Sequence, residues 1–311
     1  LSTLLATTFE LPFKAPYDWP RVLRFFAGRA TPGVEAVEDG AYRRAIDWAG
    51  ASGTMTVRRH ARKRCLVVCI EGDAGHHADT LAPHVATMFD VGAEPSAIGA
   101  HLAQDAWLAP LVATAPGLRV PGAWSAFELV VRAIVGQQVS VKAATTLIGR
   151  LVVRAGARID DHAHEGTAWR FPTPAALAEA DLANIGMPGK RVAALQGVAR
   201  AVASGDVPID GGTADRSPRG ADLAALRAAL LALPGIGPWT VEYIAMRAWR
   251  DPDAWPATDL VLMQSIAARD ATLTRPAAQR ARTEGWRPWR AYAAMHLWNE
   301  ITDRTSGTRG G

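Results

Sequence analysis

The stretch LPGIGPWTVEYIAMRAWRDPDAWPATDLVL, residues 233–262, decides the fold. It follows ADLAALRAALLA, residues 221–232, whose apolar positions recur at helical spacing. Pro234 stops that first helix, Gly235 and Gly237 free the backbone for a tight turn, and Pro238 suits the first turn of a second helix. The pattern reads as helix, turn, helix, with the hairpin spanning residues 222–250. Backbone amides of such a turn, beside a helix N-terminus, can hold a phosphate oxygen. Its carbonyls could hold a monovalent cation, Na+ or K+. A bare connection between two packed helices carries the same pattern. Further on, Asp259 precedes the apolar helical run LVLMQSIAAR. There it reads as a plain N-cap or as a chemical group.

Working outward, the chain has 311 residues, long enough for two or three domains. Its 34 Lys and Arg against 30 Asp and Glu give a net charge of +4, which permits a polyanionic partner without establishing one. No run of eighteen apolar residues and no basic-then-apolar start are present, so a soluble protein is expected. The first residue is not Met, which suits part of a longer polypeptide. The two cysteines, Cys65 and Cys69, read as small strand hydrophobes in a reducing compartment and exclude four-cysteine zinc or iron–sulfur sites within the chain. His76-His77 and His162-x-His164 lack enough neighbouring ligands and read as solvated. The glycines of DGGTADRSPRG lack the strand and helix of a phosphate loop.

N-terminal to the hairpin the pattern is mixed. Residues 42–48, 53–60 and 64–70 read as strands, residues 19–29 as a helix, and HHADTLAPHVATMFDVG has helical periodicity. An antiparallel sheet covered by helices satisfies this. The domain is expected over residues 15–105, after a flexible segment at 1–14. From Gly122 onward the pattern is helical. Ser125 and Glu128 fit a capping box, and helices are expected over 174–183, 191–203, 222–231, 239–250 and 259–268. The joining stretches 157–174 and 204–220 are polar and rich in Gly and Pro, hence loops. The fold class is therefore α+β: an N-terminal antiparallel sheet with helices, then an all-α region over 106–302 in two lobes. A disordered tail is expected over 303–311.

The segments PYDWPRVLRFFAGRA (16–30), PGLRVPGAWSAFELVVRAIVGQQVSV (116–141), IGMPGKR (185–191), the hairpin, and WRPWRAYAAMHLW (286–298) occur in that order. Together, over residues 15–300, they resemble the helix-hairpin-helix DNA glycosylases, in particular bacterial members that remove alkylated bases such as 3-methyladenine and 7-methylguanine. The resemblance implies that Asp259 is catalytic and that Phe25, Trp239, Tyr243 and Trp298 line a base pocket. It implies that Gln138 wedges into the base stack, with Gln137 beside it, and that Gly235, Ile236, Gly237 and Thr240 form the phosphate-binding hairpin. Trp286 and Trp289 read as core. Bifunctional members carry a Lys just after the hairpin, where Trp239 stands here, and no Lys follows Lys190. A monofunctional enzyme without lyase activity is implied. The wedge is Leu in a related protein, so Gln138 is a departure. N3- or N7-alkylation makes a purine cationic, and aromatic faces attract cations. The implied partner is double-stranded DNA containing damaged bases. A monomer is expected, needing no cofactor and no membrane, cytoplasmic and associated with the bacterial nucleoid. Two alternatives stay open: a helix-hairpin-helix glycosylase for oxidised or deaminated bases, and a non-catalytic DNA-damage-binding protein.

Overall fold

The computed structural model describes residues 6–159, 166–210 and 221–307. The sheet's centre is β3 (Ala41–Trp48), β4 (Ala51–Arg59) and β5 (Cys65–Glu71), paired antiparallel with Tyr42 opposite Val57 and Val57 opposite Val68. Because side chains alternate across a strand, Tyr42, Ile46, Met55, Val57, Leu66, Val68 and Ile70 share one buried face. Cys65 and Cys69 belong to the other face of β5, the first buried and the second half-buried. The helices α1 (Trp19–Ala27) and α2 (Ala78–Met88) cover the apolar face, where the Phe26 ring lies 4.8 Å from Tyr42 and 5.3 Å from Phe89.

Two edge strands complete the sheet in the order β1-β5-β4-β3-β2: β1 (Ala6–Pro12) on β5 and β2 (Glu35–Glu38) on β3. The expectation of a flexible segment at 1–14 is thus corrected from residue 6 onward. A bare edge on β5 would leave a row of backbone donors and acceptors unpaired, and ATTFELP supplies the strand that pairs them.

The helical half comprises α3 (Pro95–Leu102), α4 (Ala109–Thr114), α5 (Ala126–Val135), α6 (Val141–Ala155), α7 (Pro174–Glu179), α8 (Gly189–Ala203), α9 (Ala221–Leu231), α10 (Pro238–Arg247), α11 (Leu260–Arg269), α12 (Pro276–Arg282) and α13 (Arg290–Gly307). One continuous core runs through it from Ile98 to Leu297, while the sheet's own core ends at Val91. The change of core therefore lies ahead of the expected boundary at 105, because Ile98 and Leu102 of α3 already pack into the helical side. A two-residue ladder of β6 (Ala157–Arg158) and β7 (Trp169–Arg170) interrupts the all-α pattern. Arg170 pins it to the sheet through Asp47, at 2.6 Å. The expected disordered tail is helical through Gly307, and Asp303 pairs with Arg21 at 2.9 Å and Arg24 at 2.7 Å. Residues 308–311, His162, His164 and most of DGGTADRSPRG lie outside the described residues.

The two halves are joined by buried charge. Ser125 caps α5 by accepting the Glu128 N–H at 3.0 Å, but the Glu128 carboxylate does not close a capping box. It pairs instead with Arg44 of β3 at 2.5 Å. Arg44 also lies 3.5 Å from Glu35, which pairs with Arg132 of α5. Burial alone would raise the Glu35 carboxyl, but Arg132 and Arg44 hold it down to about 2. Among the described residues, no helix is long and apolar enough to cross a membrane.

Candidate active site

The hairpin sets the site's geometry. Gly235 has φ +86°, and a Cβ there would meet the Ala194 Cβ at 2.7 Å, so only glycine allows the turn to press against α8. Gly237 is the N-cap of α10 without a side-chain cap bond, and Pro238 opens the helix. The first-turn amides thus lack an internal partner and remain free for an external acceptor. Gly235 is exposed, whereas the side chains of Ile236 and Thr240 are buried. With its side chain buried, Thr240 can offer a ligand only its backbone.

Asp259 caps α11, its Oδ1 accepting the Leu262 N–H at 3.0 Å. An N-cap requires no more than that. Two further donors converge on it. Trp298 Nε1 of α13 donates to Oδ1 at 3.0 Å, and Trp239 Nε1 of α10 donates to Oδ2 at 2.9 Å. An indole N–H only donates, so both rings orient the carboxylate as their acceptor. Asp259 remains half-buried, held where three helices meet.

The expected pocket aromatics come together. Trp239 and Tyr243 are stacked at 4.9 Å and 12°, and Tyr243 meets Trp298 edge-on at 6.3 Å. The stacked pair leaves no slot for a planar group between its rings. Phe25, on α1, closes the group through Arg247, whose guanidinium carbon lies 4.7 Å from the Phe25 ring and 5.2 Å from that of Tyr243. Arg247 Nη1 donates to the Tyr243 hydroxyl at 2.7 Å, and its remaining nitrogens hold the Pro121 and Gly122 carbonyls at 2.9 and 2.7 Å. Arg29 lies over Phe25 at 4.0 Å. Burial would raise the Tyr243 pKa, but Arg247 and Arg29 outweigh it and lower the value from its ordinary one. Sequence reading missed both arginines. Their signal was present: Phe25–Arg29 and Tyr243–Arg247 are aromatic–arginine pairs at the four-residue spacing of one helix face.

Gln138 lies in the turn between α5 and α6, exposed and at φ +57°. The neighbouring Gln137 side-chain amide donates to the Gly235 carbonyl at 2.9 Å and ties the turn to the hairpin. Trp286 is core, donating to Asp105 at 2.8 Å, and Trp289 is half-buried against Tyr292. Among the described residues, no group of three or more His, Cys, Asp or Glu could hold a metal ion.

The family model described as "HhH-GPD superfamily base excision DNA repair protein" matches residues 131–291, across the hairpin and Asp259, and the "AlkA N-terminal domain" model matches residues 8–125. The chain belongs to the HhH-GPD superfamily. Within it, "DNA-3-methyladenine glycosylase 2" of Escherichia coli is 34% identical over 295 residues, covering 93% of this chain and 96% of that protein. The "Probable bifunctional transcriptional activator/DNA repair enzyme AlkA" of Mycobacterium tuberculosis is 38% identical over 298 residues, covering 94% of this chain. The chain spans only 57% of that relative's length. A solved "3-methyladenine dna-glycosylase from Archaeoglobus fulgidus" superposes with a TM-score of 0.78 over 95% of this chain and 98% of that one. At 19% identity, that likeness shows the shared fold of an HhH-GPD protein with an N-terminal sheet.

Proposed function

We propose that this chain is a monofunctional DNA glycosylase that flips out alkylated bases, 3-methyladenine and 7-methylguanine among them, and hydrolyses the N-glycosidic bond to leave an abasic site. The observation that carries the reading is Asp259 gripped by two indoles beyond its capping bond. A base inside a duplex is out of reach, so the nucleotide must leave the stack, at a cost of a few kcal/mol. Gln138 is the candidate to occupy the gap, and the hairpin amides and arginines would hold phosphates. As the bond breaks, positive charge develops on the sugar, and a prepositioned carboxylate stabilises it without reorganising. The same carboxylate could activate the attacking water. A cationic N-alkylpurine is already a good leaving group, so the protein need not protonate it strongly.

Lyase chemistry requires an amine nucleophile, and no Lys follows Lys190, so hydrolysis is the expected outcome. The reading needs no cofactor. Hairpin carbonyls could hold Na+ or K+, although the Gly235 carbonyl already accepts from Gln137. It describes a monomer acting on duplex DNA in the bacterial nucleoid.

The test is single-turnover release of bases from methylated duplex DNA by wild type and Asp259→Asn. Release of 3-methyladenine by wild type, lost in the variant with abasic-DNA binding retained, is expected because the charge acts chiefly in the transition state. Near-normal release by Asp259→Asn would sink the assignment. Abasic-DNA binding with no release by either protein would make the chain a damage-binding module.

A further inference from the structure

The turn between β4 and β5 carries charge that the candidate active site does not use. In VRRHARKRC, residues 57–65, Arg58, Arg59, Arg62, Lys63 and Arg64 are all exposed, and the segment contains no carboxylate. The turn is pinned at both its tip and its stem. His60 Nδ1 accepts the N–H groups of Arg62 and Lys63, both at 3.0 Å, and the Arg64 carbonyl accepts the Phe13 N–H at 3.0 Å. Lys63 pairs with Glu10 at 2.7 Å, Arg58 donates to the Asp39 carbonyl at 2.9 Å, and Arg59 lies 5.9 Å from the Phe13 ring. Among the described residues, no carboxylate lies within ion-pair distance of Arg58, Arg59, Arg62 or Arg64. Like charges held this close repel one another, and a polyanion relieves the repulsion.

This patch is separate from the hairpin before α10. The β2–β3 turn joins it to the start of α1, where Trp19 Nε1 donates to the Gly40 carbonyl at 3.1 Å. Phe25, in the aromatic group of the candidate site, lies near the other end of that helix, whose nine residues span about 13 Å. The arginines in between are answered: Arg21 pairs with Asp18 and Asp303, and Arg24 with Asp303. Along α1, then, no track of free cations connects the two surfaces. We propose that the β4–β5 turn is a second DNA-binding surface, which holds the phosphate backbone of a duplex segment other than the one in the active site. This rests on reading the hairpin and Asp259 as the first DNA site. Duplex DNA carries one negative charge per about 1.7 Å of its axis, so one short turn meets several phosphates at once. Phosphate contacts read no sequence, which suits a surface that grips any undamaged stretch. With two segments held together, the second is at high effective concentration, and the protein passes to it without leaving DNA.

The experiment loads the protein on a fluorescent abasic duplex and follows release as unlabelled, undamaged duplex is added in rising excess. A protein with one DNA surface releases at a rate independent of the competitor. In wild type the rate is expected to rise on the order of tenfold at roughly hundredfold excess, and the rise should fade between about 50 and 200 mM salt. Arg62→Glu/Arg64→Glu should release at a constant rate and bind a short abasic duplex as wild type does. Arg62→Gln/Arg64→Gln, which loses the contacts without adding repulsion, should fall between the two. A competitor-independent rate in wild type overturns the proposal and leaves the patch to an acidic protein, and an unchanged rise in both variants overturns it as well. Weakened binding of the short abasic duplex by the variants would put the turn on the first DNA track, which also overturns a second surface. Release of 3-methyladenine from a short methylated duplex by all three proteins keeps the glycosylase reading whatever the transfer result. Transfer without base release overturns that reading alone.

Discussion

The carboxylate of Asp259 is held by two indoles that differ in which oxygen they grip and which helix they come from. Trp298 shares Oδ1 with the capping amide of Leu262, while Trp239 alone holds Oδ2. Replacing Trp298 by Phe keeps an aromatic ring beside Tyr243 and removes only the donor. A hydrogen bond to a charged group contributes about 1.5–3 kcal/mol, so Trp298→Phe should slow excision roughly tenfold or more. Under the proposed role of Asp259, binding to abasic duplex should change little, because the bond would matter only as charge forms on the sugar. Equal losses in excision and in abasic-DNA binding would show that Trp298 acts through packing instead.

At the scale of elements, the turn between α5 and α6 and the hairpin before α10 behave as one surface, stitched by Gln137 to the Gly235 carbonyl. Gln138 stands on that turn in the left-handed region, at φ +57°. For a side chain bearing a Cβ, that conformation costs about 1–2 kcal/mol. Glycine adopts it freely, though it loses more freedom on folding. Gln138→Gly is therefore expected to leave thermal stability equal or higher, by up to roughly 1 kcal/mol. It should at the same time weaken base flipping, read as fluorescence of 2-aminopurine placed next to the lesion. A variant less stable than wild type but flipping normally would assign Gln138 to the fold rather than to the DNA.

For the whole molecule, the decisive contact is the buried quartet of Arg44, Glu35, Glu128 and Arg132 between sheet and α5. Removing one member leaves its partner's charge buried and uncompensated. Glu128→Ala should destabilise by about 3–5 kcal/mol, which for a chain this size is a melting temperature lower by roughly 10 °C in calorimetry. A shift of only a degree or two would mean that the quartet is solvated in solution. By itself, the sequence determined the α+β class, the central strands, the hairpin and the capping position of Asp259. These depend on periodicity, glycine and proline stereochemistry and short-range capping, all written within a few residues. Only the tertiary structure decided that ATTFELP is an edge strand, since an edge is defined by a partner distant in sequence, Glu71 for Ala6 and Cys65 for Pro12. It alone turned Glu128 from a capping-box residue into an ion-pair partner of Arg44, 84 residues distant. It also brought Arg29 of the α1 end and Arg247 of α10 together at the Phe25 ring. Charge pairing and ring stacking act over a few ångströms in space whatever the separation along the chain, so no local pattern records which partners they choose.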